Sequence, residues 1–168
     1  EHYTSLNHGF SGNWIIGFNY QATIDRIWAI TWSTGGIEKN ALSFSDDGGL
    51  TWDVPYQLEE LNIQFYNVFI KNDIIYASSK EGLWISYDGL NWAQMPSVIS
   101  NDGQQILSNI VFSSLVLNDL DENLWVGTPD GLAVTNNLGI DWDIYRYIGD
   151  EITNDKSNSL ESFYVYPN

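Results

Sequence analysis

Residues 43–52 read SFSDDGGLTW, Ser43 to Trp52, and put two acids, two glycines and a tryptophan into a single short stretch. Such a stretch is either an acidic catalytic or metal-binding loop, or a turn whose polar groups serve the backbone. Two related segments decide between these: SYDGLNW at 86–92 and TNNLGIDW at 135–142. The first copy fixes Ser45, Asp47, Gly49, Thr51 and Trp52. The second keeps Ser86, Asp88, Gly89 and Trp92 in one residue less, and the third keeps Thr135, Asn137, Gly139 and Trp142 with the acid replaced by an amide. A general base or a metal ligand tolerates that replacement poorly, whereas a turn cap does not need the charge. An Asp or Asn side chain accepts hydrogen bonds from the backbone N–H groups of its own turn, and Gly supplies the positive φ. The tryptophan then folds its ring beneath the turn and anchors it through a large buried apolar area. These residues are therefore expected to be structural, and no catalytic residue is assigned.

Working outward, the turns fall in register with a longer repeat. RIWAITWS from Arg26, IIYASSKEGLWISYDGLNW from Ile74 and NLWVGTPDGLAVTNNLGIDW from Asn123 align through Trp28, Tyr76 and Trp125, and close on Trp52, Trp92 and Trp142. Ahead of each lies another apolar run, NWIIGFNY, IQFYNVFI and ILSNIVFSSLVL. Short runs rich in β-branched and aromatic residues between Gly, Asn, Asp and Ser clusters read as antiparallel strands. A period of about 40 to 50 residues with four strands each is that of a propeller blade. The fold class is all-β, a β-propeller of four-stranded blades. Blades are expected at 13–57, 62–99 and 105–148, with 1–10 as the outer strand of a preceding blade and 160–168 as a closing or next inner strand. Three to four blades fall at or below the smallest usual ring of roughly 4. An incomplete arc of a larger propeller, with apolar faces at both ends, is therefore the preferred reading.

The octamer SDDGGLTW resembles the Asp-box of bacterial neuraminidase-type (BNR) repeats, and the two weaker copies extend the resemblance over most of residues 14–147. The resemblance implies a propeller whose boxes lie on the blade periphery, away from any active site. LWVGTPDGL, Leu124 to Leu132, resembles the repeat of two-component-regulator propellers, which implies the same fold. The ending FYVYPN, Phe163 to Asn168, resembles the junction that precedes the C-terminal sorting domain of type IX secretion proteins. Together these resemblances imply an extracellular or cell-surface protein exported by a bacterium.

Composition narrows the chemistry. The chain has 168 residues and a net charge of −16, from 22 acids against 6 Lys and Arg, which repels phosphate backbones and argues against nucleic acid. No apolar run is long enough to insert in a membrane, and the lack of Cys removes disulfides, thiolate zinc sites and cysteine nucleophiles. A sialidase would need several arginines for its substrate carboxylate, and only Arg26 and Arg146 are present. A two-carboxylate glycosidase would have to draw on Asp25, Asp119, Asp121 or Asp130, each expected as a solvated loop acid. His2 and His8 lack the further ligands of a zinc site, so no cofactor is expected. Calcium at the acidic segments 118–123 or 149–155 is a minor alternative. Trp14, Trp32 and Trp84 lie outside the boxes, and Trp32, beside the insertion STGGIEKN, is the residue singled out for ligand binding. The expected function is a non-catalytic module for protein interaction, adhesion or scaffolding, its partner a protein or another copy or segment that completes the propeller. A carbohydrate-active propeller, glycosidase or glycan binder, is the alternative.

Overall fold

The computed structural model describes residues 3–116 and 123–146. Within these residues three antiparallel sheets follow one another, each wound in sequence order. The first holds β1 (Trp14–Gln21), β2 (Arg26–Trp32) and β3 (Ala41–Ser45). The second holds β4 (Phe65–Lys71), β5 (Ile74–Ser79), β6 (Gly82–Ser86) and β7 (Trp92–Gln94). The third holds β8 (Ser113–Val116), β9 (Leu124–Thr128), β10 (Gly131–Thr135) and β11 (Asp143–Tyr145). The all-β expectation holds, and consecutive strands pair because the hairpin turns leave them antiparallel and adjacent.

Two expectations are corrected. The segment 1–10, expected as an outer strand, instead forms a helical turn, α1 (Ser5–His8), closed by Gly9 at φ +86°. Its backbone is engaged by the first capped hairpin, since Trp52 N–H donates to His8 O at 2.8 Å and the Phe10 ring stacks on Trp52 at 4.5 Å. The first sheet also has three strands, not four. After its turn only Asp53 bridges back to Phe44, because Pro55 has no N–H to extend the ladder and instead opens the short helix α2 (Tyr56–Leu61).

Period-two alternation sends opposite faces of each sheet to different neighbours. Trp28, Ile30, Leu42 and Phe44 of the first sheet pack against Phe65, Val68, Ile75, Ala77, Trp84 and Trp92 of the second, sealed by Leu58 of α2. The opposite face of the second sheet gives Tyr76 and Leu83 to a second core, which Leu124, Val126, Ala133 and Trp142 of the third complete. The outermost faces are different. On the first sheet Phe18 and Tyr20, 62% and 53% exposed, stand on the face of Ile27, where Phe10, Ile15 and Trp52 form a small cluster among the described residues. On the third, Leu115, Leu132 and Tyr145 point the opposite way from the core, and Tyr145 is 54% exposed. Among the described residues no helix is long and apolar enough to cross a membrane.

Candidate functional site

The three boxes build the same turn from different residues. In the first, the Ser45 hydroxyl donates to Asp47 Oδ1 at 2.7 Å and accepts from Gly49 N–H at 2.9 Å. Asp47 then accepts from Leu50 N–H and Thr51 N–H, both at 2.9 Å, and from the Thr51 hydroxyl at 2.6 Å. In the second, Ser86 accepts from Gly89 N–H at 2.9 Å, and Asp88 accepts from Leu90 and Asn91 N–H, both at 2.8 Å. In the third, Thr135 accepts from Gly139 N–H at 3.1 Å and Asn137 Oδ1 accepts from Asp141 N–H at 3.0 Å. The Asn137 amide donates onward to Asp141 Oδ2 at 3.1 Å, so the acid has moved to the far end of the turn. In all three the closing indole donates to the box glycine carbonyl at 3.1 Å: Trp52 to Gly49, Trp92 to Gly89 and Trp142 to Gly139.

These bonds fix the charge state. Side-chain and backbone donors of Thr51 hold Asp47 down at a pKa of about 2, and those of Asn91 do the same for Asp88, against an ordinary value of 3.8. Such carboxylates stay anionic and have their oxygens occupied by their own turns, so neither is poised to move a proton. Several other described acids are similarly engaged. Asp46 is lowered by its Arg26 partner, whose guanidinium makes a two-pronged contact at 2.6 and 2.7 Å and lies 4.1 Å from the Phe44 ring centre. Asp130 is lowered by Arg146, 3.1 Å away, and also accepts from Leu107 N–H. Asp25 accepts from the Tyr20 hydroxyl at 2.6 Å, and that bond raises the phenol. Both arginines therefore tie turns together. His8 lies against Tyr3 with ring centres 4.0 Å apart and the planes tilted by 30°, and the described residues contain no group of three or more His, Cys, Asp or Glu that could hold a metal. The calcium candidate 149–155 and, but for Asn123, the candidate 118–123, together with Asp119, Asp121, His2 and the closing strand at 160–168, lie outside the described residues.

The tryptophans outside the boxes divide. Trp84 is buried in the first core. Trp32 is half-buried and its indole donates to Phe65 O at 2.7 Å, which fixes its ring across the junction of the first two sheets. It is also the second member of a row that no single segment discloses. Trp14 meets Trp32 at 5.7 Å between ring centres, Trp32 meets Tyr66 at 5.7 Å, and Tyr66 meets Phe112 at 5.5 Å, each pair edge to face. Tyr66 and Phe112 escaped sequence reasoning. The signal was present, because an aromatic residue stands at or just before the first strand of each repeat, but inward and outward residues of a strand are told apart only by its register.

Face-to-face antiparallel sheets wound in sequence order, with capped hairpins repeated on each, define a β-propeller arc. The comparisons agree on that class. YCF48 from Cyanidioschyzon merolae superposes with a TM-score of 0.55 over 77% of this chain and 36% of its own length, at 20% identity. An ancestral GH74 enzyme does so with a TM-score of 0.58 over 81% of this chain and 19% of its own, at 14% identity. At those identities the likeness carries the fold alone, and the chain spans well under half of either structure. No family model and no curated protein matches the sequence.

Proposed function

We propose that the chain is a non-catalytic interaction module of a bacterial cell-surface protein, a BNR-like propeller arc that completes its ring by docking a second copy onto its open end faces. The observation that carries this reading is the pair of apolar faces that no other described sheet covers, with Phe18 and Tyr20 exposed at one end and Leu115, Leu132 and Tyr145 at the other. Water penalises both, and the interior of the stack shows that these sheets bury such faces against one another. Two head-to-tail copies of three sheets make six, inside the usual range of roughly 4 to 8 blades. The spare length of both structural neighbours is in keeping with an arc that belongs to a larger ring. The engagement of Asp47 and Asp88 by their own turns supports a structural over a hydrolytic role for the boxes, and the box resemblance supports export.

Sedimentation velocity tests the association. The chain is expected at the mass of two copies at micromolar concentration, with Phe18→Lys and Leu132→Lys each returning it to one. A wild-type monomer at all concentrations would remove the proposal.

A further inference from the structure

The row Trp14, Trp32, Tyr66 and Phe112 crosses all three sheets in steps of 5.5 to 5.7 Å, and its two ends lie open, Trp14 57% and Phe112 49% exposed. The box tryptophans, Trp28 and Trp84 are buried, so an indole left in water at Trp14 departs from the use of tryptophan elsewhere among the described residues. The backbone takes part in presenting the row. The β4 ladder shifts register between Phe65 and Asn67, which makes Tyr66 the extra residue of a bulge, and a bulge re-aims the side chain it carries. A matching shift lies between Ile15 and Gly17 on β1. The middle of the row is rigid, since the Trp32 indole is bonded to Phe65 O and Asn67 Oδ1 accepts from Ser114 N–H at 3.4 Å. A surface fixed beforehand loses little freedom when a ligand lands on it.

Charge selects the class of ligand. Each connection between second and third strands opens at this same end of its sheet, and each is balanced: Glu38 beside Lys39, Lys80 beside Glu81, and Asp130 paired with Arg146. That balance stands out in a chain of net charge −16. An anionic polymer would be repelled by the whole molecule, and a cationic one would find its counter-charges on other surfaces. What remains is an uncharged chain with apolar ring faces for the aromatics and hydroxyl groups for flanking polar side chains such as Asn67 and Ser113. We propose that this row is a binding strip for an elongated, uncharged glycan, occupied independently of any ring closure through the end faces.

Tryptophan fluorescence and calorimetric titration of the whole chain with cellohexaose, xylohexaose, mannohexaose and maltohexaose test it. At least one is expected to bind, and Trp14→Ala and Phe112→Ala each to weaken it roughly tenfold, the size of one lost ring contact. Both positions are exposed, so near-ultraviolet dichroism should report an intact fold. Tyr145→Ala, on the open end face, should leave the affinity unchanged. Failure of all the sugars at millimolar concentration, unchanged affinity in both row variants, or capture of a proline-rich peptide or an alginate oligomer in preference to the sugars would each overturn the proposal.

Discussion

Asp47 shows how much one side chain does here. Its two oxygens gather the N–H groups of Leu50 and Thr51 and the Thr51 hydroxyl, which favours the anion and brings the pKa to about 2. The folded value lies below the ordinary 3.8, so the stability this carboxylate contributes is fully present above that value. It is lost as the pH falls through the interval down to about 2, and Asp88 behaves alike. Asn137 fills the same role without titrating. At neutral pH, Asp47→Asn is accordingly expected to melt closer to wild type than Asp47→Ala. The Asn variant should also show a shallower acid loss than wild type. Thermal melts followed by tryptophan fluorescence across acid pH would show this, and identical acid profiles for wild type and Asp47→Asn would contradict it.

At the level of the hairpin, a capped turn does more than reverse the chain. Gly89 has φ +77°, and a Cβ there would fall 2.9 Å from Cζ2 of Trp28 on the preceding sheet, whose ring also meets Trp92 edge to face at 5.9 Å. The second box is thus wedged against the first sheet, and its glycine answers both to the turn and to the neighbour. Gly89→Ala is expected to lower stability by roughly 2 kcal/mol, mostly left-handed strain with some displacement of Trp28. Urea unfolding measures it, and a midpoint unchanged from wild type would mean the hairpin does not lean on Trp28. The first hairpin shows the other limit of the element. Its returning strand stops after one bridge because Pro55 turns the chain into α2, and Leu58 of that helix covers the core edge which a longer outer strand would otherwise flank.

Across the whole molecule, stability resides between sheets. Leu42, fully buried, belongs to a cluster drawn from β2 to β7 and α2, so a cavity there weakens the first two sheets together. Leu42→Ala is expected to cost about 2–5 kcal/mol and to shift far-ultraviolet dichroism and tryptophan fluorescence to the same lower melting temperature. Separate transitions would show that the sheets unfold independently. Among the described residues the same stacking gives the first and last faces no facing sheet, which is where the proposed association acts.

The sequence by itself determined the all-β class, the antiparallel order of consecutive strands and the chemistry of the capped turns. Every bond that defines Asp47, Asp88 or Asn137 is made within its own octamer or heptamer, so spacing alone carries the information. Tertiary structure alone decided which sheet faces stay open, that residues 5–8 coil instead of pairing, and that Trp14, Trp32, Tyr66 and Phe112 form one row. Those outcomes depend on register, bulges and the packing of one sheet on the next, which bring together residues far apart in the chain, and no local pattern encodes them.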